Sequence, residues 1–294
     1  MPSVTVLAVG GTGESYPQDR RTRVSGLLRA VTDGLDDRFE SRWVGYPASY
    51  GPVAAGGLSY RHSTLVGVRK LTDAVSDTAG PVMLIGYSQG CTVIREILGD
   101  AAVGRTDLRN VTAVGLISDP EQPGDVAPGC DGHGVAGTGP PLPDSIPVHW
   151  IADPRDMICN ASDDSFVRDL ADLTEWMSLR GHQVWRRELW RLLRRNSFQN
   201  AAKTCLSPRQ WRRDTRRIRT AAHEVLGYLP PRLTWRGVGV RNPRGGRHIA
   251  YASEPIDASG LTGCDILTQW LQVQATFSVP APVRTAESAL TSAA

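Results

Sequence analysis

The stretch Pro81-Val82-Met83-Leu84-Ile85-Gly86-Tyr87-Ser88-Gln89-Gly90 constrains this chain more than any other. An apolar run of strand length ends in Gly-x-Ser-x-Gly and passes at once into Cys91 to Leu98, where apolar residues recur with helical spacing. A strand that becomes a helix within so few residues needs small residues where the backbone turns and the two elements approach, and Gly86 and Gly90 stand there. This is the context in which a serine is held exposed on a strained elbow as a nucleophile. Ser88 is therefore the candidate nucleophile, and the Gln89 N–H, at the start of the following helix, is a candidate donor to an oxyanion.

The segments around the elbow predict an α/β fold. Val4 to Val9 reads as a buried strand followed by Gly10-Gly11-Thr12-Gly13-Glu14-Ser15. That glycine-rich turn has neither the spacing of a dinucleotide fingerprint nor that of a P-loop. A loop after an early strand can instead supply the second oxyanion donor, and Thr12 is the candidate. Val24, Leu27, Leu28, Val31 and Leu35 have the spacing of an amphipathic helix, as do Leu65, Val68, Leu71 and Val75 within 58–75. Strands are predicted over 39–46, 111–118 and 147–152. Strands alternating with helices give a parallel sheet flanked by helices on both faces, with the site at the carboxyl ends of the strands. Residues 121–145 are rich in Gly, Pro and Asp without periodicity and read as a long surface loop.

A serine nucleophile needs an imidazole to take its proton and an acid to orient that imidazole, and on such sheets the chain order is Ser, Asp, His. Asp153 and Asp156 both follow the strand that ends at Ala152. Asp153 precedes Pro154 and readily serves a turn, which favours Asp156, with Asp119 at the preceding strand's end as a third candidate. Of six histidines, His62 precedes the serine, His133 and His149 precede the acid, and His182 and His223 fall in helical segments. His248 lies in a glycine-rich loop before the last helix and is the candidate base.

With these residues placed, the chain resembles the cutinase-like α/β hydrolases, and within them the lysin B enzymes of phages that infect mycolate-bearing bacteria. The resemblance rests on Gly11-Thr12-Gly13-Glu14, on Gly86-Tyr87-Ser88-Gln89-Gly90, on Asp156 followed three residues later by Cys159, and on His248. It implies an α/β-hydrolase fold and a catalytic set of Ser88, Asp156 and His248, with an oxyanion hole at Thr12 and Gln89 and no organic or metal cofactor. It further implies cleavage of the ester between mycolic acid and arabinogalactan. Cutinases pair the cysteine after the acid with one just before it. Here none stands just before Asp156, and pairing of Cys159 with Cys130 is left open. Cutinases also place the histidine soon after the acid. The 91 residues between Asp156 and His248 resemble lysin B, in which a helical linker is inserted at that point.

The inserted stretch, 163–235, differs in composition from the rest. It holds 15 Lys and Arg against 8 Asp and Glu within a chain of formal charge +3, so it carries +7 and the remainder −4. Helices are predicted over 166–177, 182–195 and 207–226. Five of the eight tryptophans lie here: 176, 185, 190, 211 and 235. We read the stretch as a lid, with Trp185, Leu189 and Trp190 as candidate contacts to a lipid acyl chain and the arginines facing an anionic cell envelope. No nucleic-acid-binding motif accompanies the basic helices, and no nucleic-acid partner is expected.

The expected organisation is a catalytic domain over 1–162 and 236–277, the helical insertion, and a disordered tail over 278–294 rich in Pro, Ala, Ser and Thr. No run approaches the roughly 18 apolar residues of a membrane span. The N-terminus has no basic region or cleavage site of a signal peptide. The expectation is a monomer made in a host cytoplasm that acts at the envelope once lysis begins. Five scattered cysteines do not form a disulfide scaffold, and Cys130 and His133 read as loop residues rather than metal ligands. A non-catalytic wall-binding protein on the same fold is the contrasting possibility.

Overall fold

The computed structural model describes residues 4–51, 57–175, 177, 182–195, 208–235 and 238–278. Its centre is a five-stranded, all-parallel sheet of β1 (Val4–Val9), β2 (Phe39–Trp43), β3 (Val82–Tyr87), β4 (Val111–Ile117) and β5 (Val148–Ile151), ordered β2-β1-β3-β4-β5. Strands β1 and β3 are buried at every position, as expected for parallel strands covered on both faces.

The period-2 alternation of side chains divides the core in two. Leu7, Val9, Leu84, Val114 and Leu116 point to one face, against α2 (Tyr60–Ser76) and α3 (Gln89–Ala102). Val6, Ala8, Met83, Ile85 and Ala113 point to the other, against α1 (Arg29–Asp33) and α7 (Gly263–Ser278). The Ser59 hydroxyl caps α2 by accepting the His62 N–H, which explains why that helix starts where it does.

The helix expected from Val24 to Leu35 is shorter than its spacing suggests. Gly26 has φ +66°, and the Leu27 N–H is taken by Glu14 Oε1 at 2.7 Å, so helical bonding cannot extend backward past Arg29. Val24, Leu28 and Val31 are nonetheless buried in the same cluster. Apolar spacing reported the buried face correctly and the local backbone incorrectly.

Helices α4 (Phe166–Thr174), α5 (His182–Arg195) and α6 (Pro208–Tyr228) form the insertion. An antiparallel ribbon of β6 (Arg232–Trp235) and β7 (Val238–Arg241), which the sequence did not disclose, follows them and straddles residue 235. The expected tail, from 279 onward, lies outside the described residues. Two buried arginines pin the irregular segments. The Arg95 guanidinium donates to the Thr138 carbonyl at 2.5 Å and the Pro140 carbonyl at 3.2 Å, which holds the 121–145 loop. The Arg168 guanidinium, on α4, donates to the carbonyls of Gly134, His133, Ala161 and Ser162, tying the insertion to that loop. Among the described residues, no helix is long and apolar enough to cross a membrane.

Candidate active site

Sheet register assembles the site. Val9 pairs with Gly86, Tyr87 with Ile117, and Ile117 with Ile151, so the loops after β1, β3, β4 and β5 leave the sheet side by side at its carboxyl edge. Ser88 follows β3 with φ 51° and ψ −119°, a conformation a non-glycine residue rarely holds. The elbow closes tightly on β1: a Cβ built on Gly90 would lie 2.0 Å from the Val9 carbonyl oxygen, so only glycine fits.

The structure brings Ser88, His248 and Asp156 together. Ser88 Oγ lies 3.1 Å from His248 Nε2, and His248 Nδ1 lies 3.0 Å from Asp156 Oδ2. His248 lies in a short 3-10 helix, Arg247–Ala252, rather than an open loop, and is buried. Its imidazole stacks against the Tyr87 ring at 5.2 Å, and the Tyr87 hydroxyl donates to the His248 carbonyl at 2.8 Å. Tyr228 of α6 lies against the same imidazole, with ring centroids 5.3 Å apart.

Asp156 is fully buried and heavily hydrogen-bonded. Its Oδ2 accepts the Ser118 hydroxyl at 2.5 Å and the Tyr251 hydroxyl at 2.9 Å, while its Oδ1 accepts the Ile158 N–H at 3.1 Å. Burial pushes its carboxyl upward. The His248 partner and the hydrogen bonds from His248, Ser118 and the Ile158 N–H outweigh this and hold it below the usual carboxylate range. Burial drives the Tyr251 phenol well above its usual range, so it remains a donor, and its oxygen also accepts the Asp153 N–H at 2.9 Å.

The competing acids are engaged elsewhere. Both carboxylate oxygens of Asp153 meet the Arg155 guanidinium, at 2.9 and 2.7 Å. Asp119 accepts the Trp150 indole N–H at 3.0 Å and lies 3.8 Å from the Arg95 guanidinium. Sequence reasoning missed Ser118 and Tyr251 as partners of the acid. Ser118 ends a strand with φ 52°, which nothing in its local sequence announces.

Thr12, in the loop after β1, and Gln89, the first residue of α3, flank the serine. The Thr12 hydroxyl donates to Gln89 Oε1 at 3.2 Å, and Gln89 Nε2 donates to the Ser49 carbonyl at 3.0 Å. Glu14 braces the first loop from within, with Oε2 accepting the Gly11 N–H at 2.8 Å and Oε1 accepting the Leu27 N–H. The segment that carries Thr12 is therefore a braced turn.

Thr12, Ser88 and His248 open into a cavity of about 850 Å³. Much of its lining is apolar: Val135, Met157 and Ile158 from the body, and Val167, Leu170 and Val225 from α4 and α6. One sector, with Arg61, Glu121 and Glu175, is polar. Of the three proposed lid contacts, Trp190 is 61% exposed and does not line the cavity, and the side chains of Trp185 and Leu189 lie outside the described residues. Cys91, Cys130, Cys159 and Cys264 are buried free thiols, so Cys130 and Cys159 are not bridged although they share a small apolar cluster. Cys205 lies outside the described residues. Among the described residues, no group of three or more His, Cys, Asp or Glu is placed to hold a metal.

A parallel sheet flanked on both faces by helices, with a serine elbow after its central strand and an aspartate and histidine delivered later in the chain, is an α/β-hydrolase fold. No protein-family model and no curated protein matches the sequence. Among solved structures, the chain is similar to the catalytic core domain of acetyl xylan esterase from Trichoderma reesei, at 22% identity over 64% of this chain and 96% of that one, with a TM-score of 0.40. It is also similar to an acetylxylan esterase, at 20% identity over 66% of this chain and 98% of that one, with a TM-score of 0.41. A third is a cutinase-like protein from Cryptococcus sp., at 17% identity over 54% and 79%, with a TM-score of 0.38.

Proposed function

We propose that the protein is a serine carboxylic-ester hydrolase. In this reading it cleaves the ester between mycolic acid and arabinogalactan in mycolate-bearing bacterial envelopes as a phage lyses its host. The observation that carries the hydrolase reading is the chain of contacts from Ser88 Oγ to His248 and on to Asp156, opening into a largely apolar cavity. His248 Nε2 takes the Ser88 proton as Oγ attacks the ester carbonyl, and Asp156 holds the imidazole in the tautomer with its proton on Nδ1. The backbone N–H groups of Thr12 and Gln89 receive the developing oxyanion. The alcohol oxygen leaves with the proton held by His248, and the acyl group stays on Ser88. Water, deprotonated by His248, then attacks the acyl-enzyme, releases the fatty acid and restores the serine. No step requires a metal or organic cofactor.

The mycolate assignment draws on the sequence resemblance to lysin B and on the room the cavity offers an acyl chain. The assay is release of free mycolic acid from purified mycolyl-arabinogalactan-peptidoglycan by the intact protein and by Ser88→Ala. Release by the former alone supports both nucleophile and substrate. Serine-dependent hydrolysis of a short soluble ester without mycolate release would instead assign a general cutinase- or lipase-type carboxylesterase.

A further inference from the structure

Helix α6 has two unlike sides. On one, Arg217 pairs with Asp169, Arg213 meets Asp164 at 2.8 Å, and Ala221 and Gly227 are buried, so this side holds the helix to the body. On the other, Trp211, Ile218 and Leu226 are 74%, 60% and 39% exposed. They recur at intervals of seven and eight residues with exposed Ala222 between them, which places them along one stripe. Arg212, Arg216 and Arg219 run along the outer border of that stripe, all exposed and without a carboxylate partner among the described residues. Along its inner border, Val225 lines the cavity.

The cavity mouth has the same character. Leu170, Tyr228 and Ile249 line the cavity and are themselves 51%, 42% and 65% exposed, so its rim is apolar. An apolar stripe and an apolar rim on neighbouring surfaces expose more large hydrophobic side chains than scattered single residues would. A nucleic acid would satisfy the arginines and leave the stripe in water. A lipid surface of negative charge satisfies both, with the apolar side chains immersed at the level of the acyl chains and the guanidinium groups at the phosphates.

We propose that this face of α6 docks the protein on an anionic lipid surface and presents the cavity mouth to the acyl chains. The purpose of the docking rests on the ester-hydrolase reading, whereas the docking itself is measured without turnover. The full chain bearing Ser88→Ala is sedimented with vesicles of equimolar phosphatidylglycerol and phosphatidylcholine, and with vesicles of phosphatidylcholine alone. We expect about tenfold or greater preference for the anionic vesicles, reduced by added salt. Trp211→Ser with Ile218→Ser weakens that binding about tenfold or more by removing the immersed groups. Arg212→Gln, Arg216→Gln and Arg219→Gln together bring it down to the level on neutral vesicles.

In the Ser88 background, both sets leave turnover of a short soluble ester within about twofold, since none of the five residues lines the cavity. Equal binding to both vesicle types, or variants that bind as tightly as the parent, overturns the proposal. Vesicle binding of the expected pattern in a protein that hydrolyses no ester leaves the docking face standing and removes the hydrolase reading.

Discussion

The Ser118 hydroxyl lies 2.5 Å from Asp156 Oδ2 and 3.0 Å from His248 Nδ1, touching both the imidazole beside Ser88 and the carboxylate that holds it. It does so from the end of β4, one strand over from the elbow, where its φ of 52° turns it toward the site. Two neighbouring strands thus lead into strained serines, Ser88 the proposed nucleophile and Ser118 a hydrogen-bond donor to Asp156. Strain at such positions costs about 1–3 kcal/mol each and persists only when surrounding structure enforces it.

Replacing Ser118 separates the hydroxyl from the backbone strain. Ser118→Ala and Ser118→Gly both remove the hydrogen bond, but glycine also relieves the positive φ. Both variants are expected to lose roughly tenfold or more in kcat with KM little changed, since a hydrogen bond to a charged group is worth about 1.5–3 kcal/mol. Thermal melting should place the glycine variant above the alanine variant. Normal kcat in both would show that Ser118 does not position the acid.

Asp156 and Asp153 stand three residues apart and do different work. Asp156→Asn keeps the shape but favours the wrong imidazole tautomer, and is expected to lower kcat by about 10⁴. Asp153→Asn weakens the pairing of a buried carboxylate with the exposed Arg155 guanidinium, a contact that involves neither Ser88 nor His248, and is expected to lower the melting temperature while leaving kcat within about threefold. Steady-state kinetics on a soluble ester decides between the two acids.

Glu14 is the next test, because its two oxygens join the Thr12 loop to the turn at Leu27. Glu14→Ala frees the Gly11 N–H and lets the loop relax, so Thr12 loses its aim at the oxyanion. A fall of about ten- to a hundredfold in kcat, smaller than the loss from deleting the nucleophile, is expected from burst and steady-state measurements. An unchanged kcat would remove Thr12 from the oxyanion hole.

Glu121, on the polar sector of the cavity, supplies a pH dependence. Burial, with Asp119 next to it, pushes its carboxyl up to about 8, and the nearest cation, Arg95, is 3.9 Å from an Oε2 that has no hydrogen-bond partner among the described residues. A folded value above the unfolded one, about 4.3, means the folded chain holds a proton that the unfolded chain has released. Stability from this group therefore declines as pH rises between those values and levels off above them. Glu121→Gln is expected to raise the melting temperature at pH 9 and leave it nearly unchanged at pH 4, as read by calorimetry. An equal shift at both pH values would show that ionisation is not involved.

Much of the fold was legible because its signals are local. A buried parallel strand is a continuous apolar run, and the elbow announces itself by two glycines around a serine, so β1, β3 and β4 were located within a residue or two, while α3 runs four residues beyond the Leu98 at which its spacing was read. The order Ser, Asp, His along the chain singled out Ser88 and His248 and left three acids, of which the favoured Asp156 is the one that the structure brings into contact with His248. The ribbon of β6 and β7 was not legible, because each strand is only four residues long and the alternation from Arg232 to Trp235 is too brief to stand out beside the helical insertion. The short α1 was misread because its boundary is set by a carboxylate from Glu14, far from the helix in sequence.

The sequence alone therefore determined the parallel sheet, the elbow and the candidates for base and acid, since each depends on residues that are neighbours in the chain. Only the tertiary structure paired the favoured Asp156 with His248, engaged Asp119 elsewhere, added Ser118 and Tyr251 to the acid, and showed that α4 and α6, with no part for Trp190, wall the cavity. Those outcomes depend on strand register and on which buried polar groups find one another across 30 to 130 residues, distances over which local pattern carries no information.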